Sequence, residues 1–250
     1  MTTIVLPNVR KLFIPDPDHM IFEGDLAGAD AQVVAWEAED EDLKAAFRAK
    51  IDVHVKNAED MWGASFTKLQ GYARDAKRQE LKRGVHATNY GGTARTLATT
   101  LGWTVHEADS FQKRWFSIHP LIEKNFHGRI RNSLHSTRTV TNKFGFRRVF
   151  FDRIDNAFTE ALAWVPQSTV ALNTFHGAFQ LEERYPVLRE RDDIMLQVHD
   201  SIVFQFHKSN VPPLADMKKA LEVKTPYDDP LYIPWDIKGS EKSWGDVHKL

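Results

Sequence analysis

The sequence contains no cysteine. Disulfides, thiolate metal sites and a cysteine nucleophile are thereby excluded, and the redox compartment is left open. It also lacks a charge excess, with 33 lysines and arginines against 34 aspartates and glutamates. No overall field announces a polyanionic or membrane partner, so any such partner has to be met by a local patch. No apolar run approaches the about 20 residues that span a bilayer, and the opening MTTIVLPNVR lacks the pattern of a signal peptide. Internal repeats and low-complexity tracts are missing as well. What remains is a chain of 250 residues, 42% hydrophobic, long enough for one large domain or two small ones. A soluble cytoplasmic protein is expected.

HMIFEGDLAGADAQVVAWEAED opens with a short β-like run ending at Asp25, then passes through Gly28 into a stretch whose Ala29, Val33 and Trp36 recur at helical spacing. Asp25 is therefore expected at the C-terminal edge of a strand. From Asp52 to about Pro120 the pattern is helical and charged, broken at Gly91-Gly92 and at Gly102, after which Thr104 and Glu107 have the spacing of a capping box. In RTVTNKFGFRRVFF, residues 138–151, β-branched and aromatic residues flank Asn142 to Gly145, a hairpin signature. A mostly helical stretch from Asn156 to Arg184 follows, with Pro166 as a start or a kink. In MLQVHDSIVFQF, residues 195–206, apolar residues run up to Val198 and resume at Ile202, which predicts two strands joined by a turn at His199-Asp200-Ser201. VPPLADMKKALE predicts a short helix, and YIPWDIKGSEKSW a closing strand with a polar tail.

Three constellations could carry chemistry. Asp25 and Asp200, both at predicted strand ends, are hard oxygen donors suited to a shared Mg²⁺ site; the plainer reading is an Asp that serves its own turn. On the predicted helix RDAKRQELKRGVHATNYGG, Arg78, Lys82, His86 and Tyr90 recur every four residues and so share one broad face. Such a face matches a nucleotide, with cations for phosphates and rings for a base, and equally a solvated basic stripe. The run from Gly128 to Arg153 carries Arg129, Arg131, Arg138, Lys143, Arg147, Arg148 and Arg153 against the single acid Asp152. It reads as a contact for a phosphate backbone or as a hairpin edge kept soluble by charge.

In this order, the segments resemble the palm and fingers of family A (Pol I-like) DNA polymerases, bacteriophage-type members in particular, over nearly the whole chain. DLAGADAQVVAWEAED resembles the first palm motif, DVHVKNAEDMW the Asp-x-His segment entering the fingers, and RQELKRGVHATNYGG the fingers-helix pattern through Arg78, Lys82, Tyr90 and Gly91. AWVPQSTVA is similar to the segment whose Gln, here Gln167, meets the primer-template minor groove, and QVHDS to the second palm motif with His199 and Asp200. The resemblance implies an α+β fold, an antiparallel palm sheet with helices plus mostly helical fingers, with palm over 1–53 and 156–250 and fingers over 54–155. It implies template-directed addition of deoxynucleotides to a primer 3′-hydroxyl, with Asp25 and Asp200 holding two Mg²⁺ ions, Mn²⁺ being an alternative. Arg78 and Lys82 would bind the incoming dNTP, Lys82 also as a proton donor to pyrophosphate. Tyr90 would pack at the base, and Asp30 and His86 would meet the sugar. Gln167, His199, Arg147 and Arg148 would contact primer-template DNA, and the protein would work in the cytoplasm of a bacterial or phage-infected cell, away from membranes.

Three departures from the family pattern carry expectations of their own. The family's Glu five residues after the first Asp is Asp30 here, so weaker exclusion of ribonucleotides is expected. The ring four residues before the helix Tyr is His86, and Ser201 replaces the Glu that often follows the second Asp. The resemblance starts just upstream of the first motif, so thumb and exonuclease domains are expected to be absent, with short products or a second polypeptide supplying them. The alternatives are a polymerase-derived binding subunit that needs a partner chain, a metal-dependent phosphohydrolase using His199-Asp200 with His54 or His86, and a single-subunit RNA polymerase. Paired carboxylates, which repel DNA, argue against a mere binder, and a His-Asp pair in a hairpin turn argues against a hydrolase whose ligands sit on helices.

Overall fold

The computed structural model describes residues 7–191 and 193–250. In chain order, β1 (His19–Leu26) leads into α1 (Ala29–Ala38), α2 (Glu41–Arg48), α3 (Val53–Trp62), a single turn α4 (Ala64–Thr67), α5 (Gly71–Asn89), α6 (Ala94–Leu101) and α7 (Val105–Ile118). A π-helical stretch, Ile122–His127, runs into α8 (Gly128–Ser136). The hairpin strands β2 (Thr139–Thr141) and β3 (Arg147–Val149) precede the long α9 (Ile154–Arg184), the turn α10 (Val187–Glu190), β4 (Ile194–Val198) and β5 (Ser201–His207). The chain closes with α11 (Leu214–Leu221), the short pair β6 (Lys224–Thr225) and β7 (Leu231–Tyr232), then β8 (Trp235–Ser240) and β9 (His248–Lys249). Contacts divide the chain into one unit of residues 1–29 with 170–250 and another of 30–169. Among the described residues no helix is long and apolar enough to cross a membrane.

The first unit is built on an antiparallel sheet of order β4-β5-β1-β8-β9. Side chains alternate along a strand, so β1 sends Phe22, Gly24 and Leu26 to one face and Ile21, Glu23 and Asp25 to the other. On the first face Phe22 stacks on Phe204 across β5, with centroids 5.6 Å apart, and Phe206 meets both edge-on. Burying such a ring is worth about 1.5–3 kcal/mol. Here α9 comes close to the sheet: a Cβ on Gly177 would lie 2.8 Å from the Trp235 ring and 3.0 Å from the Leu221 carbonyl of α11. On the opposite face Ile21, Val203 and Trp244 form a buried cluster against which Met195, Leu196, Val198 and Val247 pack.

The β4–β5 hairpin turns on His199 and Asp200, as its apolar flanks predict. His199 takes φ 55°, a left-handed conformation that His, Asn and Asp tolerate better than most residues with a side chain. Ser201 is not part of the turn. It opens β5, opposite Asp25 of β1, while its hydroxyl donates back to the Val198 carbonyl at 2.9 Å.

The second unit is mostly helical. The buried stripe of α5 is Leu81, Gly84, Val85 and Thr88, and Gly84 lets α7 approach until a Cβ would meet Phe111 at 2.8 Å. Past the end of that stripe, Asn89 accepts from Trp115 Nε1 at 2.8 Å, and its carbonyl meets His127 Nε2 at 2.8 Å. The predicted capping box opens α7, with Thr104 and Glu107 exchanging side-chain and backbone hydrogen bonds. The β2–β3 turn is held by Asn142, whose Oδ1 accepts from the amides of Phe144 and Phe146 at 3.1 and 3.0 Å. Pro166 does not start a helix: α9 begins twelve residues earlier, at Ile154, and continues through the proline to Arg184.

Gly177→Ala is expected to lower stability by about 1–3 kcal/mol, the usual cost of forcing a methyl into a packed contact; a denaturant midpoint unchanged from wild type would show that Trp235 yields without strain.

Candidate functional site

In the sheet unit, β1 brings two carboxylates to one face, two residues apart, in opposite electrostatic circumstances. Glu23 is buried and well served, accepting from Trp244 Nε1 at 2.7 Å and Arg10 Nη1 at 3.2 Å, with Lys238 Nζ at 3.5 Å. Asp25 has no such cover. Burial raises its carboxyl from the ordinary 3.8 to about 6, and the charges of Asp200, Glu23 and Asp236 push the same way against Lys238 alone. The antiparallel register explains the grouping. Asp236 of β8 lies directly opposite Asp25, and the Asp200 carbonyl accepts from the Leu26 amide at 3.1 Å, which pins the β4–β5 turn to the end of β1. Uncompensated oxygen donors of this kind fit a hard divalent cation, whose charge would relieve the repulsion between Asp25 and Asp200.

In the helical unit, the predicted ladder exists. Arg78, Lys82 and His86 project from successive turns of α5, and Tyr90, which caps the helix, lies with its ring 4.3 Å from that of His86. The Tyr90 hydroxyl is buried and faces the Asp30 carboxylate from the first turn of α1, without a hydrogen bond of normal geometry. Burial first, then the Asp30 charge, pushes this phenol well above its usual range. Arg78 is not a loose cation: Nε and Nη2 both reach Asp52 Oδ2, at 2.9 and 2.8 Å. Lys82 is exposed and has no ion pair among the described residues. His54, in the first turn of α3, is driven down to about 4 by burial and by the charges of Lys82 and Arg78, so its ring is neutral beside two cations.

The basic run is less positive in the fold than in the sequence. Arg129 pairs with Glu37 and Arg148 with Glu160, Arg131 lies over the Phe158 ring at 4.6 Å, and Arg138 donates to the Asp152 carbonyl. Arg147 is exposed on β3 without an ion pair among the described residues. Gln167 is exposed on α9, and His199 is exposed at its turn.

Two further features of the helical unit were not legible as sites. Asp40, Asp42 and His119 bring possible ligand atoms within 4.8 Å of one another, but those atoms already have work. Asp40 caps α2 through the Leu43 amide at 3.0 Å and accepts from His119 Nδ1 at 2.8 Å, while Asp42 is held by the Lys56 ammonium at 2.6 Å. A cation there would have to displace an ammonium, so the group is a structural network. A cavity of about 420 Å³ is lined by Trp62, Lys77, Trp103, Phe111 and Arg114. Several of its polar groups are already engaged: Glu80 takes both Lys77 and Trp103 Nε1, and Arg114 donates to two backbone carbonyls.

A sequence model of DNA polymerase family A matches residues 3–246 of the chain. Among individual proteins, the DNA polymerase I of Geobacillus stearothermophilus is 26% identical over 235 residues, covering 87% of this chain and 26% of that protein. The DNA polymerase I of Treponema pallidum is 27% identical over 249 residues, covering 96% of this chain and 24% of the other. The chain thus spans about a quarter of the length of such relatives. Among solved structures, the Pol domain of Pol1 from M. smegmatis in complex with DNA primer-template and dNTP shares the fold, with a TM-score of 0.77 and 17% identity, over 96% of this chain and 42% of that one.

The charge environment of Asp25 makes stability depend on pH. The folded chain holds the Asp25 proton to about 6, whereas the unfolded chain releases it near 3.8. The stability this proton confers is complete below the unfolded value and is lost as pH rises through the folded one. Asp25→Asn is therefore expected to be more stable than wild type at about pH 8, on the order of 1 kcal/mol after solvent screening of a half-buried group, with the gap closing near about pH 4. Paired denaturant melts at the two pH values check this, and a gap independent of pH would contradict it.

Proposed function

Because the chain belongs to DNA polymerase family A, we propose that it is the catalytic core of a template-directed DNA polymerase, which adds deoxynucleotides to a primer 3′-hydroxyl by phosphoryl transfer. The observation that carries the reading is the uncompensated carboxyl of Asp25 beside Asp200 at paired strand ends. Residues 1–53 and 156–250 take the part of the palm and residues 54–155 that of the fingers. Asp25 and Asp200 hold divalent metal, Mg²⁺ or Mn²⁺. Bound there, two such ions would favour ionisation of the primer hydroxyl and neutralise charge on the triphosphate and departing pyrophosphate.

The chain's own residues bind and orient. Arg78 and Lys82 take the triphosphate as charge-assisted donors, and Lys82, exposed and without a counter-ion among the described residues, gives a proton to pyrophosphate. His86 and Tyr90, ring against ring, form the surface on which base and sugar settle. His199 steadies the primer terminus and Gln167 reads the minor groove. Arg147 contacts the phosphate backbone; Arg148 does so only by loosening its pair with Glu160. The chain's partners are primer-template DNA and dNTPs, and its hold on the duplex would rest on many phosphate contacts.

Primer extension on a labelled primer-template with Mg²⁺ tests the reading. Wild type should extend with dNTPs, and Asp25→Ala with Asp200→Ala should lose on the order of 10³-fold or more, the several kcal/mol of charge stabilisation that metal ligands support. Equal extension by the double mutant would refute it. Sugar choice is a separate expectation. Asp30 is one methylene shorter than the family's Glu, so Asp30→Glu should raise the preference for dNTP over rNTP; an unchanged ratio in single-nucleotide addition would remove Asp30 from sugar selection.

A further inference from the structure

Asp52 lies outside the proposed catalytic set, yet its carboxylate is among the most fully engaged in the helical unit. It is the N-cap of α3. Oδ1 accepts from the amides of His54 and Val55 at 3.0 and 3.1 Å, which ties the carboxylate plane to the end of the helix. Oδ2 points the other way and takes Arg78 Nε at 2.9 Å and Nη2 at 2.8 Å. Burial alone would raise this carboxyl, but the hydrogen bonds from Arg78 and Val55 and the Arg78 charge outweigh it and hold the group below its ordinary range. Asp52 therefore stays ionised wherever the protein is folded and working.

We propose that Asp52 is a positioning residue for Arg78, holding one edge of the guanidinium against the end of α3 so that the opposite edge is presented, already ordered, to the phosphates of an incoming nucleotide. The proposal rests on the reading that Arg78 binds the triphosphate. A guanidinium has five N–H donors in a rigid fork, and Asp52 engages only the Nε and Nη2 side. The Arg78 side chain remains 27% exposed. An unrestrained arginine loses rotamer freedom when a ligand fixes it, and here folding has already met that cost.

The same turn of α3 explains why the arrangement does not repel the nucleotide. The Asp52 charge is cancelled by Arg78, and the neighbouring His54 ring is kept neutral, so Lys82, with no ion pair among the described residues, supplies the attraction. Arg78 supplies direction and Lys82 supplies charge.

The test is a double-mutant cycle read by calorimetric titration of the full chain with the templated dNTP in the presence of Mg²⁺ and a primer-template whose primer ends in a 2′,3′-dideoxynucleotide, so that binding occurs without extension. Asp52→Asn keeps an N-cap, because Asn caps a helix as well as Asp, but sets an amide or a neutral oxygen against the guanidinium. Its melting temperature should stay near that of wild type while the dNTP Kd weakens about 10-fold, the lower end of what removing an orienting partner costs. Asp52→Asn should add nothing in an Arg78→Ala background and should be fully additive with Lys82→Ala. Additivity with Arg78→Ala, when Arg78→Ala itself weakens binding, would overturn the proposal alone, since a merely structural Asp52 acts without regard to Arg78. An unchanged Kd in Arg78→Ala, or no dNTP uptake by wild type, would overturn the reading beneath it and the proposal with it.

Discussion

The antiparallel register of β1 between β5 and β8 is the constraint from which the carboxylate site follows. It sets Asp25 opposite Ser201 on one side and Asp236 on the other, and ties the Asp200 turn to the end of β1 through one backbone hydrogen bond. A slip of one residue would send Asp25 to the aromatic face and put Gly24 or Leu26 in its place. The stacked rings of Phe22 and Phe204 and the bare Gly24 against Trp235 oppose that slip. Packing on one face of the sheet therefore secures the position of the Asp25 carboxylate on the other.

Along that second face the sheet separates two carboxylates that a sequence lists as equals. Glu23 is surrounded by donors brought from both ends of the chain, Arg10 and Trp244, and is a strut. Asp25, one step further along the same face, is left among other acids. Its repulsion is a cost to the folded chain that a bound cation would remove, which is how a binding site differs from a structural ion pair. The helical unit makes a similar distinction between cations: Arg78 is held by Asp52, whereas Lys82 is open. In a chain with almost no net charge, function depends on which charges the fold leaves uncancelled.

Much of this was legible in the sequence wherever the informative residues are neighbours in the chain. The hairpin at His199-Asp200, the turn at Asn142, the Thr104–Glu107 capping box and the four-residue ladder on α5 all rest on spacings of two to four residues, where backbone geometry alone decides who meets whom. Where the reading missed, a competing partner decided the outcome. Ser201 left the turn because strand pairing with Asp25 claimed it. The basic run from Gly128 to Arg153 read as more positive than it is because Arg129 finds its counter-ion in Glu37, far back in the chain.

By itself, then, the sequence determined the elements, the exclusion of thiol chemistry, and the two candidate sets, the Asp25–Asp200 pair and the Arg78 to Tyr90 ladder, since these follow from residue type and local periodicity. Only the tertiary structure decided the state of each group. Whether a carboxylate is compensated like Glu23 or exposed to its neighbours like Asp25, and whether a cation is held like Arg78 or open like Lys82, depends on partners 13 to 221 residues away in the chain. Coulomb energy falls with distance in space and takes no account of distance along the chain, so folding alone assigns these states.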